Sequence, residues 1–196
     1  SYKKSLPLLN YITSGVTEGF HLVAGLSGAG KTTFCIYTYI IPFLEDGRKI
    51  ILICNEQSKQ EWWNMILTTI LASKFNYFGI TRKKFITGHF SDEQKEYIKK
   101  AVEWLKAQAG EIKFVKMFNY NLTETKMILK KYGKLGFDVV LYDTFKAETG
   151  DGNSTNPLWQ TLLHSSKELF QTASKEGMRL IATVQIAQRF ANQRYL

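Results

Sequence analysis

Gly25-Leu26-Ser27-Gly28-Ala29-Gly30-Lys31-Thr32 follows the apolar run Phe20–Ala24 and opens a stretch with helical character from about Lys31 to Leu44. A glycine-rich turn between a strand and a helix, ending in Lys-Thr, matches G-x-x-x-x-G-K-[ST] at every signature position. The chemistry accounts for each residue type. Glycines let the backbone curl until successive N–H groups face one concave nest that fits phosphate oxygens. The helix that starts there adds the positive end of its dipole. Lys31 is expected to reach the outer phosphates of a nucleoside triphosphate, and the Thr32 hydroxyl to ligate Mg²⁺. Gly25, Ser27, Gly28, Ala29, Gly30, Lys31, Thr32 and Thr33 are therefore the candidate nucleotide-binding residues. A glycine-rich turn that merely precedes a lysine is the bland alternative.

Working outward, strands and helices alternate. Lys49–Cys54 (KIILIC) and Phe137–Asp143 (FDVVLYD) are apolar on both faces, as buried parallel strands are. Ile112–Phe118 and Arg179–Val184 add two more. Ser58-x-x-Glu61, Ser91-x-x-Gln94 and Asn121-x-x-Glu124 carry capping-box spacing and predict three helix starts. The helix from Ser91 has a stripe of Ile98, Ala101, Val102, Leu105 and Ala109. Asn156-Pro157 predicts a further helix start, with a stripe through Trp159, Leu162, Leu163, Ser166, Phe170 and Ala173. The polar stretch Ala147–Asn156 before it reads as a loop. The expected architecture is α/β, a mainly parallel sheet flanked by helices.

Composition narrows the classes. In 196 residues, 44% hydrophobic and 14% aromatic content supplies a core, and only 3 prolines argue against a low-complexity chain. There are 26 Lys and Arg against 17 Asp and Glu, a net +9, which favours a polyanionic partner without identifying one. Cys35 and Cys54 form no CxxC pair, and no apolar run reaches the roughly 18–20 residues of a membrane span. A cytoplasmic location with reduced thiols and no membrane partner is the expectation. His21, His89 and His164 lack ligand-like spacing.

Three further positions bear on catalysis. Asp143 ends a predicted strand and suits a Mg²⁺-orienting aspartate. Asp138 competes, but it lies at the strand's start, away from the ligand side of a parallel sheet. Glu56, just past Lys49–Cys54, can polarise water or be an ordinary loop carboxylate. Gln185, at the end of the last strand, can sense the γ-phosphate or be a surface glutamine.

Taken together, these residues resemble the RecA-like motor domain of DnaB-like replicative DNA helicases, over nearly the whole chain. Ser14-Gly15-Val16-Thr17-Glu18-Gly19 before His21–Ala24 looks like the family's lead-in to the phosphate loop. Cys54-Asn55-Glu56-Gln57 is similar to the strand end that carries its catalytic Glu. The stretch from Ile80 to Phe90 followed by Ser91-Asp92-Glu93-Gln94 resembles its Arg-containing segment, glycine and Ser-Asp-Glu helix start. Thr183-Val184-Gln185-Ile186-Ala187-Gln188-Arg189 is similar to its Ser-Gln-Leu-Asn-Arg motif. The departures are Asp143-Thr144-Phe145 for Asp-Tyr-Leu, Val184 for Ser, and Asn55 for the Leu before the Glu. They suggest a divergent branch, of phage or mobile-element type.

The resemblance implies a P-loop ATPase that uses ATP and Mg²⁺. Its catalytic residues would be Lys31, Glu56, Asp143 and Gln185, with Thr32 and Asp143 at the metal. It implies a homo-hexamer that translocates on single-stranded DNA during replication, with Lys146, Arg189 and Arg194 facing the strand. Residues 1–196 would be one motor domain lacking the family's last strands and arginine finger, and slow at hydrolysis alone. Rival readings are a RecA-like ATPase that loads or remodels proteins on DNA, a small-molecule kinase, and a nucleotide-binding module inactive when isolated. Lys126, Lys130, Lys131 and Lys134, and Arg82-Lys83-Lys84, are basic clusters for which a solvated face is the preferred reading over a phosphate contact.

Overall fold

The strands set the positions of the candidate residues. In the computed structural model, which describes residues 6–146 and 158–186, five strands form one sheet. They are β1 (Gly19–Gly25), β2 (Lys49–Cys54), β3 (Glu111–Lys116), β4 (Val139–Asp143) and β5 (Arg179–Gln185). Their spatial order is β1-β5-β4-β2-β3. The pairs β1–β5, β5–β4 and β4–β2 are parallel, with Gly25 opposite Gln185 and Cys54 opposite Asp143. Parallel pairing brings the C-terminal ends of β1, β5, β4 and β2 into one row.

The α-helices among the described residues are α1 (Pro7–Thr13), α2 (Lys31–Cys35), α3 (Ile41–Glu45), α4 (Lys59–Phe75), α5 (Arg82–Thr87), α6 (Asp92–Lys106), α7 (Leu122–Lys134) and α8 (Leu158–Lys175). The chain groups into two compact units. Among the described residues, one takes in 16–31, 49–56, 112–146 and 158–186, and the other 6–15, 32–48 and 57–111.

The first unit is built on the sheet. β2 is buried from Ile50 to Cys54 and β4 throughout, as their unbroken apolar runs predict. Ile51, Ile53, Val140, Tyr142, Leu180 and Ala182 form a core with Leu129 of α7 and Leu169 and Ala173 of α8. α8 packs on β1 and β5 and lies beside α7. A 2.5 Å ion pair joins Lys126 to Glu168 and holds the Glu168 carboxyl below its ordinary range. Lys126, Lys130 and Lys175 line a small polar pocket together with Glu168 and Glu176.

The buried face of α8 differs from the expected stripe. Ser165, Leu169, Thr172 and Ala173 are buried, whereas Leu163 and Phe170 are each 47% exposed. A helical hydroxyl can be buried because it bonds its own preceding turn, as Thr172 does by donating to the Glu168 carbonyl at 2.8 Å. The Asn156-Pro157 cap and the loop over 147–156 lie outside the described residues, as does the Trp159 side chain. The strand expected to run to Phe118 stops at Lys116, and Phe118 is exposed.

The second unit is helical. The helix expected over Lys31–Leu44 is present but widens into a π-helical turn at Ile36–Ile40 between α2 and α3. Pro42 supplies the reason. It has no N–H to give to the Thr38 carbonyl, and its ring crowds that carbonyl. The Ile41 N–H accordingly bonds the Ile36 carbonyl, five residues back. Ser58 and Ser91 both form complete capping boxes, on α4 and α6. At Asn121 the side chain accepts from the Glu124 N–H at 2.8 Å, half of such a box. α6 ends at Lys106, so Ala109 falls past it and only Ala101 of the stripe is fully buried. Trp62 of α4 is buried. Ser58→Ala should cost about 1 kcal/mol of stability, because the box loses its serine half, and urea unfolding measures it.

Candidate nucleotide site

Gly25 ends β1, and Leu26–Gly30 loop to α2. The Ala29 N–H bonds the Leu26 carbonyl at 3.2 Å, closing a turn. Gly28 and Gly30 have φ of +73° and +85°, values that side chains with a Cβ resist, while nothing lies near where that Cβ would be. Glycine is needed there for conformation, which is what a nest of N–H groups requires. Ser27, Gly28, Ala29 and Gly30 are exposed, so the curled backbone faces solvent. A Cβ on Gly25 would come within 3.3 Å of the Lys31 Cγ. Lys31 folds back over the loop, its Nζ donating to the Gly25 carbonyl at 3.0 Å and the Leu26 carbonyl at 2.8 Å. The cradle and its ammonium fit a chain of phosphates. Thr32 and Thr33 continue α2, and Thr33 accepts a hydrogen bond from the Arg82 guanidinium through its Oγ1.

Asp143 lies at the C-terminal end of β4 and is 5% exposed. Thr183, the next residue in register on β5, donates its hydroxyl to Asp143 Oδ1. The Thr144 hydroxyl approaches the same oxygen at 3.4 Å. A carboxylate oriented in this way suits a hard cation such as Mg²⁺, which takes one or two protein oxygens and completes its shell with phosphate and water. No group of three or more His, Cys, Asp or Glu side chains that could cage a metal occurs among the described residues. Beside it, Tyr142 is fully buried, and burial pushes its phenol well above the ordinary tyrosine value, so it stays neutral. Asp138 sits at the other end of the strand, paired with Arg179 at 3.4 Å, which gives it a structural partner away from the row.

Glu56 stands two residues past β2 and is exposed. Its Oε1 is 2.5 Å from the Lys146 Nζ. Gln185 closes β5 directly beside Gly25, and the Ile186 N–H bonds the Gly25 carbonyl at 3.1 Å. Glu56, Asp143, Gln185 and Gly25 thus occupy four adjacent strand ends, in the order β2, β4, β5, β1. Arg189 and Arg194 lie outside the described residues.

Two partners are not apparent from the linear sequence. Thr183 becomes visible only with the strand register. Asn55 binds the next strand end twice, donating to the Thr144 carbonyl at 2.7 Å and accepting from the Thr144 N–H at 3.1 Å. The departure Asn55 therefore has a structural use here.

No protein-family model matches the chain, and no curated protein matches it in sequence. Solved structures do match in three dimensions. A DnaB-like replicative helicase, described with its interactions with primase, superposes with TM-score 0.75 at 18% identity over 96% of this chain. The chain spans only 43% of that helicase. A second structure, described as an ATPase domain, gives TM-score 0.70 at 17% identity, covering 100% of this chain and 74% of that one. The RadB recombinase gives 0.51 at 16% identity, covering 90% and 66%. At these identities the likeness is one of fold, and the fold is that of the RecA-like helicase and recombinase ATPase domains.

Proposed function

We propose that the chain is the ATP-hydrolysing motor domain of a DnaB-like helicase, working on single-stranded DNA. The observation that carries this reading is the row of strand ends: phosphate loop, Gln185, Asp143 and Glu56, side by side. In the reaction, water attacks the γ-phosphorus of ATP and the β–γ bridging oxygen leaves with ADP. Glu56 takes the proton from that water. Lys31 turns from the loop carbonyls to the outer phosphates and stabilises the charge spread over them. The Thr32 hydroxyl and Asp143 are the residues that would hold Mg²⁺, which would neutralise phosphate charge there. Gln185, next to the loop, reads the γ-phosphate and passes its loss to the segment after β5.

Assembly into a homo-hexamer, and the use of Lys146, Arg189 and Arg194 toward DNA phosphates, belong to the same proposal. The likeness to DnaB-like motor domains supports it. The test is steady-state ATP hydrolysis with and without an unstructured oligothymidylate. A motor should be stimulated severalfold, with the stimulation falling steeply as salt is raised. Hydrolysis indifferent to DNA would favour the loader or remodeller. Phosphate transfer to an acceptor other than water would refute both.

A further inference from the structure

We propose that Lys146 is an internal counter-ion that holds Glu56 back, and that a single-stranded polyanion frees Glu56 by drawing Lys146 to its own phosphates. The proposal rests on the motor reading, in which Glu56 receives the proton of the attacking water. The ion pair joins the segments after β2 and β4 at 2.5 Å, and each side chain is half exposed. A carboxylate oxygen engaged by an ammonium is less available to accept a proton from water.

The backbone on both sides is fixed, which separates this pair from two long side chains meeting by chance. Asn55, the residue before Glu56, is held by the paired bonds to Thr144 and by a 3.2 Å bond from its N–H to the Asp143 carbonyl. Its own carbonyl accepts from the Lys116 Nζ at 3.2 Å. Phe145, the residue before Lys146, is 5% exposed, and its N–H bonds the Thr183 carbonyl at 2.8 Å. The ordering cost that usually cancels an exposed ion pair is thereby partly met by the fold.

Such a pair is still weak enough to be exchanged. A half-exposed ammonium can trade one carboxylate for the dense charge of a nucleic-acid backbone, with release of condensed counterions. Asn55 and Lys146 are then positioning residues, and they tie strand binding to the freeing of the base.

A double-substitution cycle on oligothymidylate affinity, read by fluorescence anisotropy without nucleotide, tests this. Glu56→Gln should tighten binding about twofold to fivefold, the size of an exposed pair. The same change made in a Lys146→Gln background should leave affinity unchanged. Lys146→Gln should also raise DNA-free hydrolysis severalfold at unaltered KM for ATP, with little further stimulation by the strand. Lys146→Arg should keep the latent behaviour. An unchanged affinity for Glu56→Gln, or equal tightening in both backgrounds, would overturn the inference, as would an unchanged or lowered DNA-free rate for Lys146→Gln. A chain that neither binds the oligomer nor hydrolyses ATP would remove the motor reading and this inference with it. Binding and hydrolysis with a flat cycle would remove the inference alone.

Discussion

Lys31→Ala is expected to lower ATP hydrolysis by about a hundredfold to a thousandfold, the cost of removing one preorganised donor from a developing charge. It should also weaken ATP binding, which calorimetry would record. The Lys31 ammonium is engaged by the Gly25 and Leu26 carbonyls, two partners on the loop itself. Those bonds keep the charge beside the exposed nest formed by Ser27–Gly30, and a triphosphate offers a stronger acceptor at the same place. The side chain is only partly buried, so the substitution should move the melting temperature little. That contrast separates a lost site from a lost fold. Wild-type turnover in Lys31→Ala would mean that the loop is a tight turn with no phosphate role.

The residues legible in the sequence are those whose neighbours in the chain carry the signal. Lys49–Cys54 and Val139–Asp143 are unbroken apolar runs, of the kind a strand buried on both faces uses. The glycine-rich turn Gly25–Gly30 is a local motif, and the serine caps at Ser58 and Ser91 are local bonds over three residues. What stays hidden depends on contacts between distant segments. The hydroxyl of Thr183 meets Asp143 only because β5 lies beside β4 in one register. Lys146 and Glu56 are far apart in the chain and meet only where β2 neighbours β4. On α8, counting apolar residues places Leu162 and Ala173 on the core side but favours the exposed Leu163 and Phe170 over the buried Ser165 and Thr172. Burying the Thr172 hydroxyl costs little, since its own helix takes the bond. The π-helical turn does have a local signal, Pro42 in the interior of the predicted helix.

Glu56→Gln should reduce turnover by about a hundredfold to ten-thousandfold, the usual contribution of a positioned general base, while ATP binding is kept. The amide preserves the shape of the side chain but carries no charge and cannot take the proton from water. Single-turnover hydrolysis beside equilibrium nucleotide binding distinguishes this from the effect at Lys31, where both quantities fall. Asp143→Asn gives a third pattern. Its loss should be greatest at low Mg²⁺ and partly recovered by raising it, because the carboxylate held by Thr183 suits the metal and not the water. If Glu56→Gln instead hydrolyses ATP at the wild-type rate, the carboxylate after β2 is not the base. Its ion pair with Lys146 would then be a structural contact between two strand ends, and the search for a proton acceptor would move to other groups along the same row.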